Sequence, residues 1–209
     1  MRLGIFGGTF NPIHLGHLRV AEEVRETLEL EKILFVPSYL PPHKELDSGV
    51  PGGIRLEIVR RAVSSNPFFE LSAFEVEQGG NSYSVRTIDH LRRLHRTTPY
   101  FILGQDAFNE ILTWYDAQRL FDLAHFAVMS RPGAIRPDLK DVLAEAASRF
   151  EKTSYGYVNS QGNRIVFVDV TPLDISSSKI RDLCRQGRSI TYLVPREVEE
   201  YIRSERIYE

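Results

Sequence analysis

Short, continuously apolar runs alternate along this chain with segments in which apolar residues recur at helical spacing. Runs such as 32–36 (KILFV) are typical of strands buried on both faces, whereas Leu18, Ala21 and Val24 mark one face of a helix. Strands separated by helices pair in parallel through right-handed crossovers. The alternation therefore predicts an α/β fold with a doubly wound parallel sheet. Its predicted strands are residues 2–6, 32–36, 69–74, 100–103, 125–129 and 164–168.

The helical segments complete this pattern. A first helix should begin near residues 15–17, and a broken helix should cover residues 108–121. Two short helices should close the chain, so we expect one domain over residues 1–209 with a helical part from about 172 to 209. The other predicted helices are residues 54–63, 84–94 and 139–150.

Composition narrows the class of protein. The formal net charge of −2 over 209 residues provides no broad basic surface, so we expect neither nucleic acid nor a membrane as a partner. No apolar run approaches the length of a membrane span, and the first residues lack a signal-peptide pattern, which favours a cytoplasmic protein. The single cysteine, Cys184, excludes an internal disulfide bond and a cluster of thiolate metal ligands.

The chemistry should lie beyond the carboxyl ends of the predicted strands, where parallel sheets bind their ligands. The segments that follow these strands are rich in glycine, proline and polar residues. They are residues 7–17, 37–44, 104–106, 130–133 and 171–181.

The first of these segments, GGTFNPIHLGH, is neither a P-loop nor a dinucleotide fingerprint. Gly7 and Gly8 allow a close approach of ligand to backbone, and the following helix points its N-terminus at the same place, which favours anions. His14 and His17 can donate hydrogen bonds to phosphate oxygens, and their charge state is open near neutral pH. The alternative is a packed turn with a helix cap.

A second phosphate site is indicated by ISSSKIR, residues 175–181. Ser176–Ser178 can cap a helix that runs to about Gln186 and ends at Gly187. A cap alone leaves Lys179 and Arg181 in the first turn, where the helix dipole disfavours cations. A bound triphosphate explains the hydroxyls and the cations together.

At these residues the chain resembles a known family. GGTFNPIHLGH resembles the T/HxGH signature of the nucleotidyltransferase superfamily, and its long form is similar to that of the bacterial nicotinate-nucleotide adenylyltransferases. Asn11, Ser84 and Ser178 depart from the residues usual there, which are aspartate, threonine and threonine. Further similar blocks follow in order, namely PPHK (41–44), NSYSVRT (81–87), GQDAF (104–108), LTWYDAQRL (112–120), SRPG (130–133) and ISSSKIR.

The resemblance implies a Rossmann-like domain that joins nicotinate mononucleotide to ATP, giving nicotinate adenine dinucleotide and pyrophosphate. It implies that His14 and His17 are catalytic and that Mg²⁺ arrives on ATP without dedicated protein ligands. The residues expected at ATP are Gly7, Gly8, Thr9, Phe10, His14, His17, Gly104, Asp106, Ile175, Ser177, Ser178 and Arg181. Those expected at nicotinate mononucleotide are Lys44, Ser82, Tyr83, Ser84, Trp114, Tyr115 and Arg131.

Several alternatives stay open from the sequence. Asp106 can simply cap a helix starting near Ala107, Lys44 can be a solvated loop residue, and Trp114 and Tyr115 can be core aromatics. The acceptor substrate can be nicotinamide mononucleotide or phosphopantetheine. A nucleotide-binding regulator without turnover is an alternative of another class, and a homodimer stays open beside a monomer.

Overall fold

A single mixed sheet runs through the computed structural model, which describes residues 1–41 and 49–209. Within those residues its eight strands have the order β3-β2-β1-β4-β5-β8-β7-β6. The strands are β1 (Leu3–Gly8), β2 (Lys32–Pro37), β3 (Phe69–Leu71), β4 (Tyr100–Gly104), β5 (His125–Ser130), β6 (Phe150–Thr153), β7 (Gly156–Asn159) and β8 (Arg164–Asp169).

The pairing confirms the predicted parallel sheet over most of its width. Strands β3, β2, β1, β4, β5 and β8 pair in parallel, and the strand order reverses between β1 and β4. This reversal opens a crevice at the carboxyl ends of those two strands, which is where doubly wound sheets bind nucleotides. Gly8 ends β1 and Gly104 ends β4, so both predicted glycine segments flank the crevice.

The helices cover both faces of the sheet, as a doubly wound fold requires. One apolar cluster packs α1, α2, α8 and α9 against residues such as Phe35, and the other packs α4 and α6 against residues such as Leu34. No helix of the described residues is long and apolar enough to cross a membrane. The helices are α1 (Leu15–Thr27), α2 (Gly52–Val63), α3 (Phe74–Gln78), α4 (Ser84–His95), α5 (Gln105–Asn109), α6 (Ala117–Leu123), α7 (Leu139–Leu143), α8 (Ser177–Arg185) and α9 (Arg196–Ser204).

Two sequence predictions are wrong in detail, and one element was missed. The strand expected over 69–74 ends at Leu71, and the short helix α3 follows it. The helix expected over 139–150 stops at Leu143, because Ala144 has a positive φ of 47° and a 3₁₀ segment follows. The antiparallel hairpin of β6 and β7 was not predicted, because its short, partly exposed strands lack a continuous apolar run.

The hairpin depends on a glycine. Gly156 has a φ of 146°, and a Cβ at this position would lie 2.0 Å from the carbonyl oxygen of Ile165 on β8. Gly162 also has a positive φ, 82°, but a Cβ there would meet no atom within 4 Å. Alanine at residue 162 would therefore meet backbone strain alone, whereas alanine at residue 156 would meet both backbone strain and steric overlap.

We expect Gly156→Ala to lower the free energy of unfolding by at least about 2 kcal/mol, on the scale of an overpacked core. Gly162→Ala, the control, should cost only about 1 kcal/mol, the scale of left-handed backbone strain. Urea unfolding measures both values. Equal losses in the two variants would contradict the close approach of β7 to β8.

Candidate active site

The turn between β1 and α1 folds back on itself around Phe10. The Phe10 ring is buried edge-on against Phe6, at 5.7 Å between centroids, and a Cβ on Gly8 would come within 2.9 Å of it. Gly8 therefore makes room for a core aromatic. Gly7 has ordinary space around its Cα, since a Cβ there would lie 3.8 Å from Phe101. Of the two glycines, only Gly8 is required by packing.

His14 and His17 form a pair at the start of α1. His14 is the N-cap residue and His17 the third helical residue, and their ring centroids lie 3.7 Å apart. The backbone N–H of His14 donates to Nδ1 of His17 at 3.3 Å. A neutral His17 must then carry its proton on Nε2, which makes Nε2 the available donor. The Phe10 ring contacts His17 edge-on at 5.3 Å.

Burial holds both imidazoles neutral. It lowers the pKa of His14 to about 4. For His17, burial is the larger cause and repulsion from His14 the smaller, and together they lower the pKa to about 3. The expectation of an open charge state near neutral pH is therefore wrong for the free protein. Each histidine acts as a neutral hydrogen-bond donor rather than as a cation.

Gly16, between the two histidines, is required by His14. A Cβ at residue 16 would lie 3.0 Å from Nδ1 of His14 and 3.1 Å from its Cε1. Any larger residue must shift the imidazole by a few tenths of an ångström. Gly16 was not among the predicted site residues, although its place inside the motif was a signal that could have identified it.

The backbone carbonyls of the histidine turn, residues 9–14, are bound by donors from distant parts of the chain. Arg55 on α2 donates to the oxygen of Thr9 at 2.8 Å, and Arg181 on α8 donates to that of Asn11 at 2.9 Å. The Ser177 hydroxyl donates to the oxygen of Pro12 at 2.8 Å. Three buried or half-buried side chains thus fix successive parts of one turn.

Arg55 is a second residue that the sequence analysis missed. Its side chain is fully buried, and it also donates to the carbonyl of Tyr39 at 2.9 Å, so it ties the turn after β1 to the segment after β2. Burial lowers the pKa of Arg55, and electrostatic interactions with Tyr208 and Glu75 partly offset that decrease. A detectable signal existed, since Arg55 occupies a position in the apolar stripe with Ile58 and Val59.

A first cavity of about 550 Å³ opens beside this turn and collects most of the residues predicted for nicotinate mononucleotide. The Tyr83 and Tyr115 rings pack at a tilt of 36° with 4.5 Å between centroids, and the Arg86 guanidinium lies over the Tyr83 ring at 5.1 Å. Tyr115 is exposed, whereas Trp114 contacts Phe101 edge-on at 6.1 Å. The cavity is lined by Ser82, Tyr83, Ser84, Trp114 and Tyr115, which were predicted for the mononucleotide, and by Gly7, Gly8, Thr9 and Asp106, which were predicted for ATP.

Glu75 lines the same cavity and was not predicted. Its carboxyl group is buried and accepts a short hydrogen bond from the Thr87 hydroxyl on α4. Burial raises the pKa of Glu75, against the hydrogen bonds from Thr87 and Ser82 and the charge of Arg55, which lower it. The carboxyl group thus ties the start of α4 to α3 beneath the cavity.

A second cavity, also about 550 Å³, contains the histidine pair. His14, His17, Gly104, Asp106 and Arg131 all line it. Asp106 lines both cavities, so the two adjoin there. Arg131 lies with the histidines, apart from the aromatic group with which it was predicted. Gly104, rather than Asp106, is the N-cap residue of α5, so the capping alternative for Asp106 is wrong.

The ISSSKIR block begins α8 as predicted. Ser176 is the N-cap residue and accepts from the backbone N–H of Lys179 at 3.2 Å, while Gly187 has the positive φ of a helix stop. Of the described residues that line the two cavities, none comes from the predicted set in this block; Leu173, just before it, lines the second. Lys44 lies outside the described residues. The predicted ATP residues that line neither cavity are Phe10, Ile175, Ser177, Ser178 and Arg181.

The lowered histidine pKa values predict a pH-dependent stability. The unfolded chain takes up protons on histidine below about pH 6.5, whereas folded His14 and His17 do so only near pH 4 and 3. The free energy of unfolding should therefore fall as the pH drops from 6.5 towards 4, by up to about 1.4 kcal/mol per pH unit for each histidine. His17→Gln should show a shallower fall in urea unfolding.

His95→Gln, at the end of α4 away from the turn, is the matched control. It should retain the wild-type slope, because it leaves both buried imidazoles in place. A His17→Gln slope equal to that of the wild type would show that His17 is not held neutral by the fold.

Comparison with known proteins identifies the family of this chain. A model of the cytidylyltransferase-like family matches residues 5–183. A probable nicotinate-nucleotide adenylyltransferase of Geotalea daltonii is 47% identical over all of this chain and 98% of its own length; that of Syntrophotalea carbinolica is 42% identical over 100% and 97%.

Solved structures agree in fold. The Plasmodium falciparum nicotinic acid mononucleotide adenylyltransferase complexed with NaAD superposes with a TM-score of 0.71 at 18% identity, covering 99% of this chain and 97% of that one. The same enzyme complexed with APC gives a TM-score of 0.70. The chain therefore belongs to the cytidylyltransferase-like family, and its full-length relatives are nicotinate-nucleotide adenylyltransferases.

Proposed function

We propose that this protein transfers the adenylyl group of ATP to nicotinate mononucleotide, releasing pyrophosphate and forming nicotinate adenine dinucleotide. The observation that carries the proposal is the pair of cavities that adjoin at Asp106, one lined by the histidine pair and the other by aromatic side chains. Two cavities that share a wall suit a reaction that joins two nucleotides. The names of the full-length relatives supply the substrate.

The reaction requires placement and charge stabilisation more than covalent chemistry. A phosphate oxygen of the mononucleotide attacks the α-phosphorus of ATP, and the bond from that phosphorus to the β-phosphate oxygen breaks. The attacking phosphate is already ionised at neutral pH, so no general base is needed. His17, with its proton on Nε2, donates to a phosphate oxygen as negative charge develops. His14 donates a second hydrogen bond to the phosphate oxygens beside it.

The first cavity suits the mononucleotide. Trp114 and Tyr115 offer aromatic surface to the pyridine ring, as the sequence predicts. Tyr83 is the N-cap residue of α4, so the first backbone N–H groups of that helix, beginning at Ser84, can donate to the ring carboxylate. Ser82 and Tyr83 complete the wall, and Lys44 stays a proposed ligand of the mononucleotide phosphate.

The second cavity suits ATP. Gly104, Asp106 and the two histidines line it, and we propose that Arg131 acts here, on ATP, rather than on the mononucleotide. The roles of Ile175, Ser177, Ser178 and Arg181 at the triphosphate stay predictions. In the described contacts, Ser177 and Arg181 support the histidine turn.

A divalent cation, which we take to be Mg²⁺, fits this arrangement as a partner of ATP. Among the described residues no three His, Cys, Asp or Glu side chains converge as a metal cluster, and Asp106 is the carboxylate shared by both cavities. Mg²⁺ commonly keeps several waters and binds through substrate phosphates and one or two carboxylates. When bound, it would neutralise charge on the β- and γ-phosphates, with Asp106 as the side chain available to it.

The substrate assignment is tested by pyrophosphate release with ATP, Mg²⁺ and each acceptor in turn. We expect nicotinate mononucleotide to exceed nicotinamide mononucleotide by at least about tenfold in kcat/KM, because an amide presents a donor to the donors at the start of α4 and loses a charge-assisted bond of about 1.5–3 kcal/mol. The Ser84 hydroxyl is a further donor there, so Ser84→Ala, which removes it and keeps the backbone N–H, should narrow the ratio. Trp114→Ala should instead weaken the use of both substrates.

The other outcomes identify the alternatives. A preference for nicotinamide mononucleotide or phosphopantetheine would make that compound the acceptor substrate. Binding of ATP without pyrophosphate release in the presence of any of the acceptors would indicate a regulator.

His17 should matter in the transition state more than in the ground state. We expect His17→Ala to lower kcat by about 10²-fold, as for loss of an oxyanion-hole donor, with a much smaller change in KM. His125→Asn is the control, since that residue lies on β5 and accepts from the backbone N–H of Arg164. A folded His17→Ala variant with near-normal kcat would remove His17 from the mechanism.

A further inference from the structure

Tyr208 reaches the histidine turn from the far end of the chain. Its hydroxyl donates to Oδ1 of Asn11 at 2.8 Å, and both side chains are buried, with 8% and 6% exposure. The chain adopts a positive φ at Arg206, 49°, and at Tyr208 itself, 76°. Non-glycine residues seldom adopt this conformation, so the observed position of the Tyr208 ring carries a cost in backbone free energy that its contacts must offset.

The direction of this hydrogen bond is fixed by chemistry. Burial raises the pKa of Tyr208, so its hydroxyl remains protonated at neutral pH. Oδ1 of Asn11 only accepts. The phenol therefore donates to the amide oxygen at neutral pH.

Asn11 transmits this contact to the catalytic pair. Its carbonyl is bound by Arg181 and its side chain by Tyr208, so two elements orient the one residue. Asn11 lies three residues before His14, whose backbone N–H in turn orients the ring of His17 through Nδ1. A shift of Asn11 must alter the position of both imidazoles. Misplacement by fractions of an ångström is costly where catalysis depends on placement.

We propose that Tyr208 is a positioning residue for the His14–His17 pair, acting through the Asn11 side chain. The proposal rests on the adenylyl transfer proposed above for its kinetic consequence. It assigns to Tyr208 a role in turnover without any contact with substrate, since Tyr208 lines neither cavity.

Tyr208→Phe tests the proposal, because it removes the hydroxyl and leaves the ring in the core. We expect kcat to fall by about 3- to 30-fold while KM for ATP and for nicotinate mononucleotide each stay within about twofold. Tyr201→Phe is the matched control. Tyr201 lies on α9 with the Arg61 guanidinium over its ring, and it should retain normal kcat. An unchanged kcat in a folded Tyr208→Phe variant would overturn the proposal.

A double-mutant cycle tests the route through Asn11. Asn11→Ala removes the acceptor while leaving Tyr208 intact, so it should lower kcat by a similar factor even if the Tyr208→Phe variant folds poorly. In the Asn11→Ala background, Tyr208→Phe should have no further effect on kcat. Full additivity of the two losses would show that Tyr208 does not act through Asn11.

A spectroscopic readout separates this proposal from the proposed function. Imidazole ¹⁵N NMR of Tyr208→Phe should show altered His14 and His17 signals. The signal of His125 on β5, whose Nδ1 accepts from the backbone N–H of Arg164, should be unchanged. This result would support the positioning role even if the wild-type protein showed no adenylyl transfer. Unchanged His14 and His17 signals would overturn it even if transfer were fast.

Discussion

The rest of the structure depends on how one short turn is held. Residues 9–14 leave β1 at the point where the strand order reverses, and their carbonyl oxygens accept hydrogen bonds from Arg55 and Arg181, each buried. A buried guanidinium without acceptors is costly, so each arginine and the carbonyl that it binds stabilise one another. The histidine turn is therefore held by hydrogen bonds from α2 and α8, two helices that are widely separated along the chain.

Burial of the two histidine rings determines their charge state in the free protein. The same burial that positions the two rings lowers their pKa values, so the free protein presents neutral donors to an incoming anion. Donors fixed before the reaction need no reorganisation when charge develops on a phosphate oxygen. An approaching phosphate favours the protonated imidazole, so the charge of these residues depends on the ligand and not on the pH alone.

The two cavities separate the aromatic side chains from the histidine pair. The first cavity is lined by aromatic side chains from the segment between α5 and α6 and by the start of α4. The second is lined by residues of the histidine turn, β4 and β5. Glu75 lines the first cavity and accepts from Thr87, while Arg55 donates to the carbonyls of Thr9 and Tyr39, so buried polar contacts join the segments around that cavity. Among the described residues that line the two cavities, the one cationic side chain at neutral pH is Arg131, in the second cavity.

The sequence by itself determined the six parallel strands of the sheet and the motif at the end of β1, because apolar runs and glycine-rich strand ends are local signals. It also determined the α8 cap at Ser176 and the glycine stop. Only the tertiary structure decided that Gly8 and Gly16 serve Phe10 and His14, and that Arg131 lies with the histidines. It alone brought Arg55, Glu75 and Tyr208 to the site. The roles of Arg55, Arg131 and Tyr208 depend on contacts between residues far apart in the chain, and the amino-acid order does not identify those partners. Gly8 and Gly16 lie two residues from Phe10 and His14, but how closely each ring approaches its glycine is set by the folded turn.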